Sequence, residues 1–283
     1  MTGAVDWSWA GPPLDVRPLF GPERAALLAL LRDLTPADWQ RPTVCPGWTV
    51  RDIVAHVTHD YIRKLSGTRD GQPMAGPEPG ESLPAFLARA NQVFVDAARS
   101  WSPHVLIDLL GHLGPQLEEL WAGRDLAALG TTVSWASPDR PAPTWLDVAR
   151  EYTEYWVHQQ QVRDATGRPG ADGAALAGPV TDTFLRAVPS TLRNLSRVPG
   201  TCVHIQVTGS GEGSWTARKL AGTWAIDPGA PAAPPAARVE VSSDCLWRVA
   251  TRGITVEDAQ ARARIIGDHE LGSAVLTLVS IVR

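Results

Sequence analysis

Cysteine is scarce in this chain of 283 residues and never paired. Cys45, Cys202 and Cys245 are odd in number, far apart and without a C-x-x-C pattern. That spacing argues against both a disulfide framework and a cysteine-based zinc site. Long apolar runs are missing too: none approaches the roughly 20 residues that cross a bilayer. The N-terminus, MTGAVDWSWAGPP, lacks the basic-then-apolar build of a signal peptide. A cytoplasmic protein with no membrane partner is expected. Positive charge is neither abundant nor clustered, with 26 Lys and Arg against 30 Asp and Glu for a net charge of −4. Without a basic stripe to meet a phosphate backbone, nucleic acid is not an expected partner. Methionine occurs only twice, whereas tryptophan occurs 12 times, which suggests broad aromatic surfaces in a core or pocket.

From about Pro18 to Gly167 apolar residues recur at helical spacing. Four long helices are expected, over residues 21–34, 49–65, 83–101 and 144–167, with a shorter helical segment over 103–122. Thr49-x-x-Asp52 resembles a capping box, and Gly167 is a natural left-handed C-cap. The stretch SGTRDGQPMAGPEPGES, residues 66–82, is too rich in Gly and Pro for helix and reads as a long loop. Four main helices with such links suggest an antiparallel bundle.

After about Arg197 the period turns to alternation, over 201–208, 214–220, 222–227 and 237–243, with turns that fit a meander. GSGEG, residues 209–213, leads into a strand and reads as a hairpin turn. PGAPAAPPAA, 228–237, reads as a stiff loop, and helices near 244–251 and 269–282 flank a strand over 261–268. The expected fold class is therefore α plus α+β: a bundle over 1–185 followed by a smaller α+β domain over 186–283, the boundary lying between Ala171 and Val198.

Among seven histidines, His104, His112, His204 and His269 show no acidic or histidine partner at ligand spacing. His56 lies mid-helix, one turn before Asp60. Glu154 and His158 are four apart, hence on one helical face. Packing the second and fourth long helices together could bring these three into contact, and two imidazoles with one carboxylate form the ligand set of an open catalytic zinc site. Spacing leaves rivals open, since His59 lies three residues from His56 and Glu151 three before Glu154. Cys45 precedes a helix N-terminus, where its thiol would be activated. With no second cysteine or adjacent base evident, CPGW reads better as a turn with a small buried side chain and an aromatic plug.

CPGWTVRDIVAHV, residues 45–57, followed by EYWVHQQQVRDATGRP, residues 154–169, resembles the mycothiol-dependent maleylpyruvate isomerase family of actinobacteria. The resemblance implies a DinB-like four-helix bundle with a sterol-carrier-protein-like α+β domain after it. It also implies a divalent metal, usually zinc, held by His56, Glu154 and His158, which leaves His59 and Glu151 as neighbours and Cys45 as a turn residue. The thiol would come from mycothiol. Its metal-activated thiolate would add to the cis double bond of a small electrophile, allow rotation and leave as the trans isomer forms; attack on other electrophiles would give S-transfer. Arg252, the nearest match to the family's substrate-anchoring arginine, would hold a carboxylate. The loop at 66–82, the Ala/Pro stretch at 228–237 and an N-terminal extension depart from the isomerase pattern. The alternative is a non-catalytic ligand-binding or structural protein with a buried His/Glu network.

Overall fold

The computed structural model describes residues 6–73, 75–139 and 141–280. Contacts group the chain into two units, neither of them continuous in sequence. A helical unit comprises Arg17–Arg124 and Glu154–Ala171; the other takes residues up to Val16, Asp125–Thr153 and the chain from Asp172 onward.

The helical unit holds α1 (Phe20–Arg32), α2 (Val50–Lys64), α3 (Leu83–Ala98), α4 (Pro103–Ala122) and the later part of α5 (Thr144–Thr166). α2 starts where the capping box closes: the Thr49 hydroxyl accepts from the Asp52 amide while the Asp52 carboxylate accepts from the Thr49 amide. Ser82 and Ser102 cap α3 and α4, each with proline in the first turn. α2 ends in a five-residue π turn, Leu65–Arg69, and Gly71, at φ 69°, leads into the long loop.

α2 is buried nearly all round, as a central helix must be. Its neighbours correct one expectation. α4, with 20 residues, is longer than α3, with 16, and it packs on α1 and α2. α3 packs on α2 and buries only Val95 and Ala98, so the four bundle helices are α1, α2, α4 and α5. Phe20 of α1 joins them, with ring centroids 6.2 Å from Trp121 of α4 and 5.9 Å from Tyr155 of α5, which in turn lies 4.9 Å from Tyr61 of α2.

The other unit contains α6 (Ala174–Leu185), α7 (Val188–Thr191), β1 (Cys202–Thr208), β2 (Gly213–Lys219), β3 (Trp224–Pro228), β4 (Ala237–Ser242), α8 (Ser243–Ala250), α9 (Val256–Arg262), β5 (Arg264–Gly267) and α10 (His269–Val275). The sheet order is β3-β2-β1-β4-β5. Only β1 to β3 form a meander: β4 lies parallel to β1, with Ile205 opposite Val239. A parallel neighbour needs a crossover, and the Ala/Pro segment after β3 carries the chain back. Val203, Ile205, Val207, Val239 and Val241 bury one sheet face.

The strand expected over 261–268 begins only at Arg264, because its first residues close α9 behind the Thr255 capping box. α10 ends at Val275; residues 281 and 282 of the helix expected there lie outside the described ones. α6 was hidden by Gly178 and Pro179 inside an Ala-rich run. No helix among the described residues is long and apolar enough to cross a membrane.

One buried acid gives the helical unit a pH dependence. Burial pushes the Glu23 carboxyl up to about 7, against a Gln159 hydrogen bond and the charges of Arg24 and Arg163. Its Oε1 accepts from Gln159 Nε2 at 2.6 Å, and its Oε2 has no hydrogen-bond partner among the described residues. A raised folded-state value means that stability present below the ordinary 4.5 is lost as pH rises through about 7. Glu23→Gln, which mimics the protonated acid, should therefore gain about 3 kcal/mol relative to the parent between pH 4.5 and pH 8. Urea unfolding at the two pH values measures this; an equal difference at both would contradict it.

Candidate metal centre

α2 and α5 meet through side chains that helical spacing has already aligned. Glu154 and His158, one turn apart, share the face of α5 that α2 covers, and His56 projects from the middle of α2. His56 Nε2 lies 3.2 Å, and His158 Nε2 3.1 Å, from the same oxygen, Glu154 Oε1. The imidazole rings stand edge to face at 4.8 Å. One ligand atom from each residue falls within 4.8 Å of the others.

The donor set fits a small divalent cation. Zinc binds histidine nitrogen and carboxylate oxygen at about 2.0–2.2 Å, so tetrahedral ligands stand roughly 3.3 Å apart, close to the two nitrogen-to-oxygen separations here. Two neutral imidazoles and one carboxylate leave a coordination position for another ligand. The Glu154 side chain is 26% exposed while the two histidine side chains are below 10%, so the open side of the cluster is the carboxylate's.

The electrostatics fit a carboxylate clamped between imidazoles. Burial pushes the Glu154 carboxyl up, but hydrogen bonds from His158 and His56 and their charge outweigh it and hold the group well below the usual carboxylate range. Burial likewise pushes His158 down, and Glu154 reverses the sign.

Around the three lie groups that the sequence did not assign to the site. His158 Nδ1 lies 2.8 Å from Gln161 Oε1, and the Cys45 thiol reaches the same oxygen at 3.4 Å. Trp48 packs on His56 at 5.3 Å between ring centroids and donates its indole N–H to Gln92. CPGW forms the expected turn, with Trp48 N–H on the Cys45 carbonyl and Gly47 at φ 79°. Its cysteine nonetheless also touches the shell of the site. The three-residue spacing from His158 to Gln161 was the available signal.

Asp60, one turn beyond His56, accepts from Tyr155 Oη at 2.7 Å and from Arg63. Burial pushes its carboxyl up, yet Arg63, Lys64 and the Tyr155 hydroxyl hold it far below the usual range. Lys64 in turn is buried over the Trp121 ring.

The rival residues stand elsewhere. His59 stacks on Phe94 at 4.4 Å, and Glu151 accepts from Arg150 at 2.5 Å. Among the described residues only His56, Glu154 and His158 form a group of this kind. His104 does have an acidic neighbour, Asp108, 3.8 Å away, but both are largely exposed. Arg252 lies exposed in the turn after α8, in the other unit, with φ 57° and its amide on the Val249 carbonyl.

The sequence profile of the mycothiol maleylpyruvate isomerase N-terminal domain matches residues 20–163. The fold is similar to the crystal structure of the mycothiol-dependent maleylpyruvate isomerase, with a TM-score of 0.50 and 14% identity over 82% of this chain and 86% of that one. A histidine-to-alanine mutant of that enzyme gives 0.51 at the same identity and coverage. Colibactin self-resistance protein ClbS, solved in complex with a dsDNA, gives 0.42 over 55% of this chain. No curated protein matches significantly.

The layer beneath the cluster yields a stability test. Asp60→Asn removes the buried charge that Arg63, Lys64 and the Tyr155 hydroxyl hold ionised, which should lower stability by about 3 kcal/mol at pH 7. Because the folded-state value is depressed, that contribution is present above the ordinary 3.8 and is lost as pH falls through the lower value. The penalty should therefore shrink only below about pH 4, which denaturant titrations at pH 7 and pH 3 would show.

Proposed function

Because this chain belongs to the mycothiol maleylpyruvate isomerase N-terminal domain family, we propose that it is a metal-dependent, mycothiol-using enzyme acting on a small electrophile. The reaction class is cis–trans isomerisation of the maleylpyruvate type or S-transfer. The observation that carries the reading is the convergence of His56, Glu154 and His158 within 4.8 Å. His56, Glu154 and His158 would hold a divalent metal, zinc being the ion that suits the donors, and it would supply Lewis acidity that favours thiolate over thiol at neutral pH.

The residues of the chain do the rest. His56 and His158 offer Nε2 and Glu154 offers Oε1. Trp48 shields one face of His56 from water, and the buried Tyr155–Asp60 hydrogen bond, with Arg63 on the same carboxylate, braces the helices that carry the ligands. Arg252 is proposed as the anchor for a substrate carboxylate, a role that suits a guanidinium's paired donors. The sequence division, a bundle over 1–185 and an α+β domain over 186–283, is proposed as the functional one, while contacts group residues up to Val16, Asp125–Thr153 and the chain from Asp172 onward as one unit.

A second reading uses the same contacts without a metal, since the shared oxygen of Glu154 already receives both histidines and could form a purely structural network. Metal analysis separates the two. The purified chain should hold close to one equivalent of divalent metal, and His56→Ala and His158→Ala should each lower affinity by at least about tenfold, while His59→Ala should not. Unchanged metal content in both ligand variants would sink the enzyme reading in this form.

For a carboxylate substrate in a mycothiol-dependent assay, Arg252→Ala should raise KM by about 10- to 100-fold, the worth of one charged hydrogen bond, and leave metal content unaltered. Comparing maleylpyruvate with epoxides or chlorinated aromatics distinguishes isomerase from conjugating enzyme.

A further inference from the structure

The two imidazoles of the centre are not equivalent. His158 has a partner on each ring nitrogen, Glu154 on Nε2 and Gln161 on Nδ1. His56 has Glu154 on Nε2, but its Nδ1 is buried with no hydrogen-bond partner among the described residues, and its ring is held by packing on Trp48 and His158. We infer that Gln161 is a positioning residue that locks His158 in the Nδ1–H tautomer, leaving His56 as the ligand with no hydrogen bond on its outer nitrogen, Nδ1. The inference rests on the metal-binding reading above.

An amide oxygen only accepts, so a contact of 2.8 Å from Gln161 Oε1 to His158 Nδ1 places the proton on Nδ1. With Nδ1 so protonated, Nε2 is the nitrogen whose lone pair a metal would take in place of the hydrogen that Glu154 Oε1 accepts here. The orientation of the Gln161 amide has independent support, because the Cys45 thiol, a donor, meets the same oxygen at 3.4 Å. A flipped amide would turn its N–H toward the thiol hydrogen, so the Cys45 contact favours the amide oxygen on this side. Gln161 is 5% exposed, so water is a poor substitute. A partner of this kind on a ligand histidine fixes ring orientation and raises basicity, and its loss typically costs about 10- to 100-fold in metal affinity.

The test uses the full chain loaded with zinc and histidine labelled with nitrogen-15. In the parent, one imidazole should show an Nδ1–H proton protected from solvent exchange, and that resonance should vanish in His158→Ala. Gln161→Leu should lose the protection and bind zinc about 10- to 100-fold more weakly in chelator competition, with Gln161→Met used if leucine disturbs folding. Gln161→Glu, a stronger acceptor of the same length, should restore both. Cys45→Ala, which removes the second donor only, should change affinity by less than about threefold. A Gln161→Leu protein with parental zinc affinity and a protected Nδ1–H would overturn the inference alone. A parent chain that takes up no zinc would overturn the metal-binding reading with it.

Discussion

A single carboxylate oxygen, Glu154 Oε1, receives an imidazole from α2 and another from its own helix. Burying a carboxylate is costly unless donors or a cation compensate it. The bundle must therefore hold α2 against α5 closely enough for hydrogen bonding across 98 residues of sequence. Much of the surrounding structure serves that approach. Tyr155, next to Glu154, hydrogen bonds to Asp60 and lies edge to face against Tyr61, so two further contacts tie the same helices one turn away. Phe20 and Trp121 extend the aromatic packing to α1 and α4.

The cluster is polar, yet two of its three members are nearly closed off, and the half-open one is the carboxylate. This suits a ligand set that retains one position for a small thiol. The shell of the cluster is uneven: amide oxygen and thiol behind His158, an indole face beside His56. Under the proposed metal binding, such unevenness would make His158 the more rigid ligand and His56 the one freer to adjust.

Local features were the most legible. The Thr49 and Asp52 capping box starts α2 as its residue types require, and Glu154 and His158 share a face because four residues make about one turn. The relative weight of α3 and α4 was not legible, since both are apolar and capped by serine; packing alone made α4 a bundle helix and left α3 outside. β4 reads as a meander strand, but its parallel placement beside β1 depends on where the Ala/Pro segment delivers the chain. α6 and α9 were missed because Gly178 and Pro179 dilute one pattern and alternating Ala and Arg imitate a strand in the other.

Residue pattern dictated the caps, the helical faces and the rough boundary between helical and alternating chain, because each depends on groups within a few positions of one another. The family resemblance named His56, Glu154 and His158; helical spacing could not, with His59 and Glu151 equally available. Tertiary structure brought the three together, turned His59 onto Phe94 and paired Glu151 with Arg150. It also drew Gln161 and Cys45 behind His158. The physical reason is that periodicity defines a face within one helix but says nothing of the rotation and register at which two helices meet, and only the packing of large side chains between them sets those.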